Sequence, residues 1–214
     1  MNCNLPKIWD DEEWLTVNPE RISPVQLEVN KYLRSAQRLY KGGKILHIGI
    51  GNSSIAKELR DIFGQIDGIT NSQQELEAGK QLSDKYRIYL LNKYNLEEFG
   101  KLDNDYDVIV DVSLKSYACC NEHWLGFMNE VINKLKIGGR LLSHTGGFGG
   151  HNSSNYDNSL KMEELTKLLE PDSFIFMRLD SNFDYPFIIE KTDTTFVPNG
   201  IDMKTGEPVM VHAD

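Results

Sequence analysis

The run Lys44-Ile45-Leu46-His47-Ile48-Gly49-Ile50-Gly51-Asn52-Ser53-Ser54-Ile55-Ala56-Lys57-Glu58-Leu59 constrains the fold more than any other part of this chain. It reads as a short apolar strand, a tight glycine turn and the start of a helix. In an open α/β sheet such a turn lies at the carboxyl edge of the first strand, beside the crevice where nucleotide-like ligands bind. Glycine turns sharply at little steric cost, and it carries no side chain to hold a ligand away from the backbone.

The rest of the chain repeats that alternation. Val25 to Tyr40 has helical apolar spacing and ends at Lys41-Gly42-Gly43. A strand is expected over Lys44 to Ile48 and a helix from about Ser53 to Phe63, with Ser53 or Asn52 as cap. Gln65 to Thr70 reads as a second strand, Ser72 to Lys85 as a helix and Arg87 to Leu91 as a third strand. Leu96 to Leu102 is a short helix or turn, and Tyr106 to Val112 is an apolar run suited to a central strand buried on both faces. Glu122 to Leu135 is helical, Lys136 to Gly139 a turn and Arg140 to His144 a fifth strand. After a loop rich in Gly, Asn and Ser comes a helix over Leu160 to Leu169. Phe174 to Leu179 and Phe187 to Lys191 then form a hairpin, and turn signals at Pro198-Asn199-Gly200 and Lys204-Thr205-Gly206 mark a hairpin in the tail. Strands alternating with helices imply βαβ units and a mostly parallel sheet.

Composition narrows the class of partner. The formal charge is -9, from 32 acids against 23 Lys plus Arg, and no basic stripe is visible. That balance opposes binding to a phosphate backbone, so no nucleic-acid partner is expected. Adjacent Cys119 and Cys120, with Cys3, suit neither a disulfide framework nor a C-x-x-C metal site. Reduced thiols in a cytoplasmic protein are expected, with no metal. The polar, acidic N-terminus does not read as a signal peptide, and no apolar run is long enough to span a membrane.

Four segments carry a family resemblance. ILHIGIGNSSIA, IDGITNSQQ, YDVIVDVSLKSY and INKLKIGGRLLS, in that order and spacing, resemble the motifs of class I S-adenosylmethionine-dependent methyltransferases. The resemblance covers about residues 25 to 191 and implies a three-layer Rossmann-like α/β fold. The sheet is then mostly parallel and seven-stranded, with a terminal antiparallel hairpin. It also implies S-adenosyl-L-methionine as cofactor. One domain spans 1–214: an N-terminal lid and helix (1–40), a Rossmann-like core (41–191) and a C-terminal tail (192–214). Two positions depart from the pattern. The family usually has an acid where His47 stands, and it usually ends strand two with an acid where this chain has Thr70. Thr70-Asn71-Ser72 is similar to a variant of cyclopropane-fatty-acid-synthase-like members, in which a threonine replaces that acid. The glutamine that usually follows would fall at Glu75.

On this resemblance, His47, Gly49, Gly51, Asn52, Thr70, Asn71, Asn92, Lys93 and Asp111 are the candidate cofactor contacts. Glycines admit the methionyl half, Thr70 and Asn71 stand at the ribose position, and Asn92 and Lys93 stand at the adenine edge. His144, at the end of strand five, titrates near neutrality and is the candidate base. Ser113, Tyr117, His123 and His151 are the candidate acceptor-side residues. Trp9 and Trp14 are candidates for an aromatic lid, and the run 146–151 for a mobile loop. The expected reaction is O- or N-methylation of a small molecule. Two alternatives stay open: a non-catalytic module binding the same cofactor, and a nicotinamide-dependent oxidoreductase. The latter's fingerprint needs a glycine at Ser54 and an acid at Thr70. Exchange of the C-terminal tail with a second copy is a route to a homo-oligomer.

Overall fold

A computed structural model describes residues 22–114, 118, 120–144, 174–178, 186–192, 196–201 and 208–212. Its main sheet has seven strands in the order β3-β2-β1-β4-β5-β7-β6. These are β1 (Lys44–Ile48), β2 (Gln65–Thr70), β3 (Tyr86–Leu90), β4 (Tyr106–Asp111), β5 (Leu135–His144), β6 (Phe174–Arg178) and β7 (Pro186–Lys191). The first five pair in parallel, and β7 runs antiparallel between β5 and β6. This is the expected Rossmann-like sheet, with the hairpin's second strand taking the inner place. The tail's hairpin is also present: β8 (Phe196–Ile201) pairs antiparallel with β9 (Pro208–His212) as a separate sheet. The signal at Pro198-Asn199-Gly200 lies inside β8, where it marks a register shift and not the turn.

Helices cover both faces of the sheet. On one side lie α1 (Pro24–Ser35), α2 (Gln37–Tyr40), α3 (Ser54–Leu59) and α4 (Gln73–Lys80). Val29, Leu33, Tyr40, Ile55 and Leu59 there pack on Ile45, Ile66, Val108 and Val110. On the other side lie α5 (Leu96–Gly100) and α6 (Asn121–Lys134). Phe99, Trp124, Phe127, Met128 and Val131 there pack on Leu46, Ile48, Ile109 and Leu141. Ile45 and Leu46, adjacent in β1, thus feed opposite cores, as period-two side chains must. Each such aliphatic side chain removed from water contributes about 1.5–3 kcal/mol. The three layers among the described residues are the ones the alternating pattern implied.

Local chemistry sets the element ends. Ser23 caps α1 by accepting the Gln26 N–H, and Pro24 supplies the preset first helical residue. The single helix expected over 25–40 is broken at Ala36 into α1 and α2. Between β4 and β5, Tyr106 faces Leu135 while Val108 faces Arg140. Four residues, 136–139, therefore bulge opposite Asp107, with Gly138 at φ 74°. What reads as a turn before strand five is an irregularity inside one continuous β5.

Candidate functional site

The strand order reverses between β1 and β4, since the chain moves outward to β2 and β3 and then returns to the far side of β1. A crevice at the carboxyl ends of those two strands is the place where an α/β sheet accepts a ligand. Four strand ends of this chain meet around it.

The first is the glycine turn. Gly49 and Gly51 adopt φ 71° and 50°, a region that side chains with a Cβ rarely enter. A Cβ built on either would meet nothing within 4 Å, so both open onto free space. The Ile69 carbonyl accepts the Gly49 and Ile50 N–H groups and ties the turn to β2. Asn52 Oδ1 accepts the Ser54 N–H at 3.1 Å, while Ser53 sits at φ 59° and makes no side-chain cap. Of the two caps expected, Asn52 is the one at work.

The second is the end of β2. The Thr70 hydroxyl donates to Glu75 Oε2 at 2.5 Å and accepts the Ser72 N–H at 3.0 Å. Burial raises the Glu75 pKa, while the Thr70 hydroxyl and the Gly51 backbone favour its charged form. A carboxylate thus stands at the junction of the β1 turn and the β2 end, supplied from the first turn of α4. Asn71, between Thr70 and the capping Ser72, is half-buried.

The third is the end of β3. Asn92 Oδ1 accepts the Tyr94 N–H at 2.9 Å and shapes the turn. Lys93 reaches across to the fourth, the end of β4, where its Nζ lies 2.8 Å from Asp111 Oδ2. Asp111 is buried, and its Oδ1 accepts the Ser113 N–H at 2.9 Å. The two candidates Lys93 and Asp111 therefore meet each other. The Ser143 hydroxyl donates to the Asp111 carbonyl at 2.6 Å, and His144 follows at the buried end of β5.

His47 lies on the α1 side of β1, 1% exposed. Its Nε2 is 3.2 Å from Gln26 Oε1; Gln26 Nε2 donates to Asn30 Oδ1, and Asn30 Nδ2 donates to Glu58 Oε2. A carboxylate only accepts, so this chain has one direction and places the His47 proton on Nε2. His47 Nδ1 is then a bare acceptor, buried without a partner. Burial pushes the His47 pKa down to about 3, which keeps the ring neutral.

Of the residues expected on the acceptor side, His123 sits half-buried in the first turn of α6, with Nδ1 3.2 Å from Cys120 Sγ. Tyr117, His151, Trp9, Trp14, the run 146–151 and the helix expected over 160–169 lie outside the described residues. Glu75 was absent from the candidates, and its place five residues after Thr70 in the T-x-S variant was the available signal. Gln26 carried no signal, because its partner is 21 residues away. Among the described residues no cluster of metal-ligating side chains occurs, and no helix is long and apolar enough to cross a membrane.

The sequence model of the mycolic acid cyclopropane synthetase family matches residues 18–176. No curated protein matches the chain. Among solved structures, the N-methyltransferase NodS from Bradyrhizobium japonicum, in complex with S-adenosyl-L-homocysteine, superposes with a TM-score of 0.62 at 12% identity, covering 85% of this chain and 96% of that one. An rRNA methylase from Streptococcus thermophilus gives 0.57 at 13%, covering 81% and 99%. A TehB-like methyltransferase from Corynebacterium glutamicum gives 0.54 at 13%, covering 78% and 96%. At such identities the likeness is one of fold.

Proposed function

The chain belongs to the mycolic acid cyclopropane synthetase family and is a class I S-adenosylmethionine-dependent methyltransferase, and from that premise we propose that it methylates a small molecule at oxygen or nitrogen. The observation that supports this site is the open cradle at Gly49 and Gly51 with the Glu75 carboxylate beside it. These residues fit the cofactor. Gly49 and Gly51 would admit its methionyl end, with His47 and Asn52 behind the turn. Glu75, Thr70 and Asn71 would take the ribose hydroxyls, and Asn92 would face the adenine edge.

When bound, the cofactor supplies an electrophilic methyl on a sulfonium and a neutral thioether as leaving group. The protein's share is alignment, exclusion of water and, for a protic acceptor, removal of one proton. His144, at the carboxyl end of β5, takes that proton in this reading. Ser143, the residue before it, ties the end of β5 to the end of β4. Ser113 and His123 take the acceptor side in this reading, and Tyr117 and His151 stay the sequence's further candidates for it. A net charge of -9 opposes a polyanionic acceptor, which favours a small molecule over RNA.

Methyl-tritiated cofactor offered with a panel of phenols, amines and ribosomal RNA tests the reading. Label is expected in a small molecule, and label confined to RNA would overturn the acceptor class. For His144→Gln, kcat is expected to fall about 100-fold while affinity for S-adenosyl-L-homocysteine stays within about twofold.

A further inference from the structure

One buried ammonium joins the β3 end of the crevice to the β4 end. Lys93 Nζ pairs with Asp111 Oδ2 at 2.8 Å and donates to the carbonyls of Ser113 at 2.7 Å and Leu114 at 3.1 Å. The two side chains are 12% and 1% exposed. The rings of Tyr94 and Phe127 lie 5.3 and 5.2 Å from the ammonium, within cation–π range. The Tyr94 hydroxyl also donates to the Leu114 carbonyl, at 3.2 Å.

An ammonium has three N–H donors. Here one acceptor is the last residue of β4 and the other two follow it, while the lysine's own backbone belongs to the turn after β3. Neutralising Asp111 would need only the carboxylate contact. The two carbonyls of consecutive residues do something more: they set the backbone path of the turn that leads to the acceptor side. Burial lowers the Lys93 pKa and Asp111 opposes that shift, so the buried cation depends on Asp111 and the two carbonyls in place of water. The contacts therefore form and break together.

We propose that Lys93 is a positioning residue that couples the two sides of the crevice, so that ordering of the Asn92–Tyr94 turn by the adenosyl end of the cofactor is transmitted to the Ser113–Leu114 backbone facing the acceptor. This rests on the cofactor placement proposed above. Coupling of this kind makes the acceptor side well ordered only after the cofactor has bound, which orders the two binding events.

The test uses the full chain and S-adenosyl-L-homocysteine as probe, with calorimetry for affinity and hydrogen exchange for the Ser113 and Leu114 amides. In the unaltered protein the probe is expected to slow exchange of these amides about tenfold. In Lys93→Met the probe still binds, and the slowing shrinks to less than about twofold. Lys93→Met leaves Asp111 unpaired and can cost folding, so Lys93→Met/Asp111→Asn serves as second variant. It removes both charges and keeps an acceptor for the Ser113 N–H. Tenfold slowing retained in either folded variant would overturn the coupling, since a purely structural lysine would not alter the ligand's effect. Failure of the unaltered protein to bind the probe would overturn the functional reading itself. Binding without slowing would overturn the coupling alone.

Discussion

The two edges of the main sheet treat buried polar groups in opposite ways. At the amino edge, Asp67 in β2 is fully buried and wholly engaged. Arg87 donates to both its oxygens at 2.8 Å, Tyr106 donates at 2.6 Å and Gln65 at 3.0 Å. Arg87 also meets Asp103, which pairs with Lys44. Nearby, the Lys134 ammonium donates to the Leu102 carbonyl at 2.8 Å and the Gly100 carbonyl at 3.2 Å. At the carboxyl edge, the glycine turn opens onto free space, and His47 Nδ1 and Ser54 Oγ are buried without partners. A buried polar atom without a partner costs free energy. The carboxyl edge thus holds orphan acceptors beside engaged pairs such as Lys93 and Asp111, whereas the Asp67 network leaves none.

That division is open to attack by mutation. The largest expected effect on stability is at the amino edge. Asp67→Ala leaves the buried Tyr106 hydroxyl without its acceptor and Arg87 with Asp103 alone, and is expected to cost about 1–3 kcal/mol in urea unfolding. The folded fraction should bind S-adenosyl-L-homocysteine with unchanged affinity. A loss of affinity there would mean that the two edges are not separable. At the carboxyl edge the balance reverses. Gly51→Val forces a branched side chain into a positive-φ position at about 1–2 kcal/mol, and its methyls fill the open cradle. Affinity is expected to fall more than about 100-fold by calorimetry. Full affinity in that variant would move the ligand elsewhere.

The smallest effect sharpens the comparison through pH. The folded-state pKa of His47 is depressed to about 3, below that of the unfolded chain. Its contribution is therefore complete above about pH 6.5 and is lost as pH falls from there toward 3, by about 1.4 kcal/mol per pH unit. Urea unfolding of His47→Gln should show a flatter decline over pH 6.5 to 5 than the unaltered protein. Parallel curves would show that the unfolded chain does not take up that proton on unfolding.

Legibility followed the range of the interaction. β1 and β2 lie where their apolar runs place them, residue for residue, because each run is bounded by its own turn signals. The helix after the glycine turn ends at Leu59 and not at Phe63, since its boundary depends on packing and not on a local stop. Lys93 and Asp111 were each legible as residues at strand ends. Their pairing was not, for 18 residues and a crossover separate them.

By itself, the order of apolar runs, glycine turns and helical spacings determined the three-layer, mostly parallel sheet and the place of its glycine turn, because those patterns act over a few neighbouring residues. Only the tertiary structure decided that β7 inserts beside β5, that Glu75 stands behind the Thr70 hydroxyl, and that His47 turns its proton toward α1 through Gln26. Such partners come from distant stretches of chain, and a donor is matched with its acceptor only once burial has removed water as the competing partner for both.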